Sequence, residues 1–233
     1  MPFVFSPPPN SALPVAGTSS LFPVRRVFCV GRNYADHARE MGAVDQAEGR
    51  EPPFFFMKPG DAVVSGRGEI EVVYPPLTRN LHHEVELVAA LAAGGADIAV
   101  GEAKDMIFGY AVGLDLTRRD IQGKAKEKGH PWDMGKGFDQ SAVVGVIQPV
   151  ALTGHPASGR IWLTVNGQVR QDGDLAAMLW QVADVIAQLS RSVRLAAGDL
   201  IYTGTPAGVG PIVPGDVLEA GVDGVGTLRA RIV

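Results

Sequence analysis

The apolar segments of this 233-residue chain are short, and glycine and proline residues separate them. Runs such as EIEVVYP, HHEVELVAAL and MIFGYAVGLDLT are typical of β-strands bounded by turns. These runs do not alternate regularly with long helices, which argues against a doubly wound parallel sheet. The sequence therefore predicts a strand-rich α+β fold, with a mostly antiparallel or mixed β architecture and peripheral helices.

Local patterns predict individual elements of this fold. VRRVFCVG reads as a first buried strand, and NYADHAREMG as a helix that Gly42 ends. IWLTVNGQVRQ predicts a hairpin that turns at Asn166–Gly167. DLAAMLWQVADVIAQLS has apolar residues at helical spacing after Asp174, so it predicts one continuous helix with Asp174 as N-cap.

Composition limits the class of protein and its partners. Residues 1–24 are rich in Pro and Ser and predict an extended arm, and residues 25–233 predict one folded domain. A net charge of −4 favours neither nucleic acid nor an anionic membrane as partner. The N-terminal segment has no basic residue and no unbroken apolar stretch, so no signal peptide is expected. The single cysteine, Cys29, excludes an internal disulfide and favours a reducing, cytoplasmic location.

Glu84 and Glu86 lie two residues apart in an otherwise apolar run. Side chains alternate along a strand, so both carboxylates face the same side. That side could simply be exposed to water, as on most strands. Asp115 also ends an apolar strand, where a charge needs a partner. If the two strands are neighbours, three carboxylates converge on a hard cation, Mg²⁺ or Mn²⁺, with His82 and His83 as supporting or packing groups.

Three further segments carry polar residues suited to chemistry. His37 and Glu40 share a helix face and could activate a water molecule, although an exposed helix with mixed charges has the same pattern. LTRRDIQGKAKEKGHPWDMGKGFD is basic but interrupted by acidic residues, so one or two of its cations could meet an anionic substrate. YTGTPAGVG suggests an anion-holding turn but is not a P-loop.

Six segments occur in the same order in the fumarylacetoacetate hydrolase superfamily: GRNYADHAREMG, FFMKP, HHEVEL, GYAVGLDLTRRDIQ, PWDMGKGFD and YTGTPAGVG. Through REPPFFFMKPGDAVV and GDLIYTGTPAGVG the chain most resembles bacterial fumarylpyruvate hydrolases of gentisate breakdown. Through RNLHHEVEL and KEKGHPW it is also similar to the acylpyruvase and oxaloacetate decarboxylase branch. The resemblance implies a mixed β-sandwich roll, a homodimer, and residues 25–233 as the catalytic domain.

The resemblance also implies roles for individual residues. Glu84, Glu86 and Asp115 match the metal ligands, and His37, Glu40 and Lys136 match catalytic residues. The positions that match substrate contacts or the pocket wall are Arg32, Tyr34, Lys58, Arg119, Gln122 and Thr205.

The implied activity is metal-dependent hydrolysis of a carbon–carbon bond in an acylpyruvate, a small-molecule 2,4-dioxo acid, with fumarylpyruvate favoured. Decarboxylation of oxaloacetate and isomerisation of an unsaturated dioxo acid remain alternatives, because the same metal-stabilised enolate serves all three reactions. A silent binding protein is a further alternative, against which the intact set of polar residues argues.

Overall fold

A computed structural model describes residues 3–6, 9–40 and 51–233 of the chain. Strands dominate this part of the chain, as the sequence predicts. They are β1 (Ala12–Pro14), β2 (Leu21–Pro23), β3 (Arg26–Gly31), β4 (Phe54–Lys58), β5 (Val63–Ser65), β6 (Glu69–Val72), β7 (Leu81–His83), β8 (Val85–Leu91), β9 (Ile107–Asp115), β10 (Thr117–Arg118), β11 (Ala142–Val144), β12 (Gln148–Pro149), β13 (Arg160–Val165), β14 (Gln168–Asp174), β15 (Asp199–Tyr202), β16 (Gly210–Ile212), β17 (Val217–Val222) and β18 (Gly226–Ile232).

The helices are short and lie between the strands. They are α1 (Ala35–Glu40), α2 (Arg119–Glu127), α3 (Asp133–Lys136), α4 (Val150–Thr153) and α5 (Val182–Ser190), with 3₁₀ turns at Gly60–Ala62, Ala103–Met106 and Leu175–Ala177. None of the helices in the described ranges is long and apolar enough to cross a membrane. Gly42, the predicted end of the first helix, lies outside the described residues.

An eight-stranded mixed sheet forms the centre of the fold, in the order β4-β3-β15-β8-β9-β11-β5, with β12 paired to β9. Every residue of β8 is buried, which explains its continuous apolar run. Strands β8 and β9 are antiparallel, and Glu86 lies opposite Gly113. This pairing brings the end of β9 beside the start of β8, where the acidic residues lie.

A five-stranded sheet, in the order β14-β13-β17-β18-β6, packs against one face of the central sheet. The two sheets share one apolar core, in which Leu87 and Val112 of the central sheet belong to the same cluster as Leu163, Ala220 and Leu228 of the second. Asn166 and Gly167 both adopt positive φ angles, of 51° and 77°, between β13 and β14. The predicted hairpin is therefore confirmed, with its turn at these two residues.

The N-terminal arm packs on the opposite face of the central sheet. β1 pairs with β2, and Leu13 and Phe22 are buried in a second apolar cluster. That cluster also contains Cys29 of β3 and Leu200 of β15. The arm thus covers apolar surface of the sheet, while its boundary at residue 24 stays a prediction.

The predicted continuous helix after Asp174 is wrong. Asp174 Oδ1 does accept a hydrogen bond from Ala176 N at 2.7 Å, but it caps only a 3₁₀ turn. α5 begins at Val182, and Gln181 caps it. The residues between are held by another part of the chain: Asn33 O accepts from Leu179 N, and Asn33 Oδ1 accepts from Trp180 N, both at 2.8 Å. These tertiary hydrogen bonds replace the helical ones, so the local periodicity misleads.

Candidate metal centre and active site

The carboxylates of Glu84, Glu86 and Asp115 converge where the start of β8 lies beside the end of β9 in the central sheet. Glu84 immediately precedes β8, Glu86 is the second residue of β8, and Asp115 ends β9. One oxygen from each lies within 4.8 Å of the others. All three side chains are buried. The predicted convergence of these residues is confirmed, and the alternative of a water-exposed face is wrong.

Two lysine side chains contact this triad. Lys136 Nζ lies 2.9 Å from Glu84 Oε2 and 2.7 Å from Asp115 Oδ2. Lys58 Nζ lies 2.8 Å from Asp115 Oδ1. That contact lacks hydrogen-bond geometry, and Asp115 Oδ1 accepts no hydrogen bond from any described residue. A buried carboxylate oxygen without a donor is available as a metal ligand.

The pKa values of the two glutamates shift in opposite directions. Burial raises the pKa of Glu84, but the charges of Lys136 and Arg119 outweigh burial and hold that pKa well below its usual value. Burial raises the pKa of Glu86 well above its usual value, and the charges of Asp115 and Glu84 raise it further. A divalent cation among the three oxygens would hold Glu86 in its ionised form. The all-oxygen donor set suits a hard ion such as Mg²⁺ or Mn²⁺, so these residues fit a metal centre.

His37 and Glu40 lie together on α1, as predicted. His37 Nδ1 is 3.3 Å from Glu40 Oε2, and Gly208 N donates to both oxygens of Glu40 at 3.2 Å. Burial lowers the pKa of His37, although the charge of Glu84 and the hydrogen bond to Glu40 oppose this shift. The imidazole is therefore neutral near pH 7. When Nδ1 donates to Glu40, Nε2 is left free to accept a proton.

One cavity contains most of the predicted site residues. Its lining includes the three carboxylates together with His37, Lys136, Arg32, Arg119, Gln122 and Thr205. Arg119 contacts Glu84 and donates to Gln122 Oε1 at 2.6 Å, so these groups form one network. Of the predicted catalytic residues, His37 and Lys136 thus share a cavity with the metal centre, and Glu40 reaches it only through its contact with His37.

Lys58 and Tyr34 do not line this cavity, contrary to the prediction that they contact substrate. Lys58 is fully buried beneath Asp115, and its ammonium group donates to the carbonyls of Leu116 and Lys136. Tyr34 is buried and forms a β-bridge with Met178. The family resemblance implies a pocket position for both residues, but both side chains are buried in the protein interior.

Two aromatic residues of the cavity lining had no predicted role. Phe56 of β4 and Trp132, which precedes α3, both line the cavity, and their ring centroids are 5.9 Å apart. Trp132 lies within the segment PWDMGKGFD that carries the family resemblance, and this was the available signal. The pair gives the cavity an apolar wall facing the charged residues.

Known proteins share this fold. Residues 26–233 match the family model described as fumarylacetoacetate (FAA) hydrolase, C-terminal. The chain therefore belongs to the fumarylacetoacetate hydrolase family, and it is an enzyme of that family.

Relatives within the family have different activities. The chain is 47% identical to fumarylpyruvate hydrolase from Pseudomonas aeruginosa, solved in complex with Mn²⁺ and pyruvate, with a TM-score of 0.96 and coverage of 100% and 99% of the two chains. It is 42% identical to the mitochondrial oxaloacetate tautomerase FAHD1 of Mus musculus, over 89% of this chain and 91% of that protein. It is 33% identical to 5-carboxymethyl-2-hydroxymuconate delta-isomerase from Mycobacterium smegmatis, with a TM-score of 0.78 and coverage of 91% and 80%.

Proposed function

We propose that this chain is a divalent-metal-dependent hydrolase that splits an acylpyruvate, with fumarylpyruvate as the preferred substrate. The observation that carries the proposal is that His37, which is paired with Glu40, lines the same cavity as the carboxylate triad. A hydrolase needs a base for water, whereas a decarboxylase does not. The similarity to the Pseudomonas aeruginosa fumarylpyruvate hydrolase supports the same substrate.

Glu84, Glu86 and Asp115 would hold the metal ion, Mg²⁺ or Mn²⁺. Such an ion supplies Lewis acidity for an α-keto acid, because it polarises the keto oxygen and stabilises enolate charge. In the cavity, Arg32 and Arg119 supply positive charge for the carboxylates of a dicarboxylic substrate. Phe56 and Trp132 provide an apolar wall suited to the unsaturated acyl chain.

The first step is addition of water to the C4 carbonyl. His37 Nε2 accepts the proton, while Glu40 fixes the ring through Nδ1 and stabilises the imidazolium that forms. The oxygen of water bonds to C4 and gives a tetrahedral oxyanion. Lys136, which lines the cavity, is the side-chain cation placed to stabilise this charge.

The second step breaks the C3–C4 bond. The electron pair of that bond passes to C3 and forms the enolate of pyruvate, while C4 becomes the carboxyl carbon of the released acid. The enolate recovers at C3 the proton that His37 holds. One water is consumed, and the products are pyruvate and, for the preferred substrate, fumarate.

Oxaloacetate is a second candidate substrate, because the FAHD1 protein of Mus musculus is an oxaloacetate tautomerase. Decarboxylation or tautomerisation would use the same carboxylates and Lys136 but needs no nucleophilic water. The family resemblance also supports a homodimer, a role in gentisate breakdown and a catalytic domain over residues 25–233 as parts of this proposal. The single cysteine supports a cytoplasmic location.

The decisive experiment offers fumarylpyruvate, acetylpyruvate and oxaloacetate separately, with Mg²⁺ or Mn²⁺ and then with EDTA, and follows pyruvate release. We expect the highest kcat/KM with fumarylpyruvate and loss of turnover in EDTA. Tautomerisation of oxaloacetate is followed in parallel by its enol absorbance. A preference for oxaloacetate would move the chain to the alternative activity, and full activity in EDTA would refute the metal-dependent mechanism.

A further inference from the structure

Gln171 connects three parts of the site although it lies in the second sheet. It belongs to β14 and is fully buried. Its Oε1 accepts from Val85 N at 3.0 Å and lies 3.1 Å from His83 Nδ1. Its Nε2 donates to Thr205 Oγ1 at 2.7 Å and to Pro206 O at 2.8 Å. All four hydrogen-bonding positions of the amide are therefore in use.

Backbone groups fix the orientation of this amide. Val85 N can only donate, so the atom that faces it must be the side-chain oxygen. Pro206 O can only accept, so the atom that faces it must be the side-chain nitrogen. A flipped amide would place two donors together and two acceptors together, inside the protein. The structure thus determines which Gln171 atom faces Thr205 without reference to any hydroxyl rotamer.

The fixed amide determines what the Thr205 hydroxyl group can do. Because Gln171 Nε2 donates to Thr205 Oγ1, this oxygen acts as an acceptor on that side. Its own proton must then point elsewhere, and the described residues offer no acceptor for it. Thr205 lines the cavity that contains the carboxylate triad. The proton is therefore available to an oxygen atom of a ligand in that cavity.

The same residue also ties the triad to the loop that carries Thr205. Val85 stands between Glu84 and Glu86, so its amide bond to Gln171 anchors the metal-binding strand. Gly204 N, next to Thr205, donates to Glu86 Oε2 at 2.6 Å. The distance between the Thr205 hydroxyl and the carboxylates is thus set from both sides.

We propose that Gln171 is a positioning residue that makes the Thr205 hydroxyl a hydrogen-bond donor to a carboxylate or keto oxygen of the bound oxo acid. This inference rests on the proposed function only in requiring an oxo-acid ligand. Gln171 itself does not touch the ligand. Its effect on binding passes through Thr205, and a double-mutant cycle between the two residues can measure that coupling.

The test measures the Kd of pyruvate for Mn²⁺-loaded protein by calorimetry, together with the Kd of Mn²⁺ and the Tm. In Gln171→Glu the carboxylate that replaces the amide nitrogen has no proton to donate, so the Thr205 hydroxyl turns toward it. We expect Gln171→Glu and Thr205→Val each to weaken pyruvate binding about tenfold, the value of one hydrogen bond to a charged group. The double variant should bind no more weakly than either single variant, and Mn²⁺ affinity should stay near that of the wild type.

Matched variants distinguish an effect of Gln171 on the Thr205 hydroxyl from a general loss of folding or stability. Gln168→Glu introduces the same change at an exposed position of β14 and should bind pyruvate normally. Thr205→Ser keeps the hydroxyl and should bind pyruvate more tightly than Thr205→Val. Gln171→Met removes the donor but offers the Thr205 hydroxyl no acceptor, so it should weaken pyruvate binding less than Gln171→Glu. Additive losses of about a hundredfold in the double variant, or wild-type pyruvate affinity in Gln171→Glu, would overturn the inference. Fumarylpyruvate turnover by the wild type, recorded in parallel, tests the proposed function separately.

Discussion

Oε2 of Glu40 lies 3.3 Å from Nδ1 of His37, and both oxygens of Glu40 also accept from the amide of Gly208. The carboxylate thus orients the imidazole through Nδ1, and the backbone of the YTGTPAGVG segment, which contains Gly208, fixes the carboxylate. This arrangement leaves Nε2 as the basic atom of the pair. Proton transfer and metal binding are therefore assigned to different residues, and mutations can test this assignment.

Glu40→Gln should lower kcat for fumarylpyruvate by about 10²–10⁴-fold, the range for loss of general base catalysis. The amide no longer stabilises the protonated ring. Mn²⁺ affinity should change little, because Glu40 is not one of the triad. Steady-state kinetics and calorimetric Mn²⁺ titration check both expectations. Asp36→Asn, an exposed change on α1, is the matched control. Turnover close to the wild type in Glu40→Gln would contradict the role assigned to Glu40 in supporting His37.

Glu86→Gln should weaken Mn²⁺ binding by more than about 100-fold, since even groups behind metal ligands contribute 10–100-fold. The metal-free protein should be as stable as the wild type or more stable, because burial and two neighbouring carboxylates raise the pKa of Glu86 and disfavour its charge. Calorimetry and urea unfolding in EDTA measure these quantities. Glu71→Gln, on the exposed side of β6, is the control. Unchanged Mn²⁺ affinity would remove Glu86 from the ligand set.

Lys58→Met should lower the free energy of unfolding by about 3 kcal/mol, as expected when one partner of a buried ion pair is removed. The ammonium contacts Asp115 and bonds to the carbonyl of Leu116. KM for fumarylpyruvate should stay near the wild-type value, because Lys58 does not reach the cavity. Urea unfolding and kinetics test the two parts, with the exposed Lys128→Met as control. A large rise in KM with intact stability would restore the substrate contact that the sequence suggests.

Acidification should destabilise the metal-free protein through its histidines. Burial and then the charge of Arg119 lower the pKa of His82 to about 4, against an ordinary value of 6.5. Below pH 6.5 His82 therefore binds a proton in the unfolded chain, whereas in the folded protein it binds one only near pH 4. The free energy of unfolding consequently falls as the pH drops from 6.5 to about 4. In His82→Gln the slope of unfolding free energy against pH should be smaller over that window. Equal slopes in the wild type and in His82→Gln would argue against this origin.

The sequence allowed the triad to be predicted because strand alternation is a local rule. Glu84 and Glu86 must share a side, and Asp115 stands out as a charge that ends an apolar strand. Their meeting required only that β8 and β9 be neighbours, and the antiparallel pairing of these two strands satisfies this condition. The His37–Glu40 contact follows in the same way from helical spacing.

Long-range contacts explain the predictions that were wrong. The helix after Asp174 is interrupted because Asn33, far away in the sequence, captures the amides of Leu179 and Trp180. The direction of Lys58 depends on where Asp115 lies in the folded protein. Gln171 was missed for the same reason: nothing near it in the sequence shows that its amide bonds to Val85 and Thr205. These features depend on packing between sheets, which local patterns do not encode.

Because the N-terminal arm packs over Cys29, the reactivity of this thiol can report on the position of the arm. Cys29 shares its buried cluster with Leu13 and Phe22, so the arm belongs to the shell that keeps solvent from the sulfur. A fragment that begins at Arg26, where the family match begins, would lack the arm and expose an apolar face of the central sheet to solvent. Labelling of Cys29 with a thiol reagent would then report directly whether the arm is packed on the sheet. A protein shortened to the residues of the family match should aggregate.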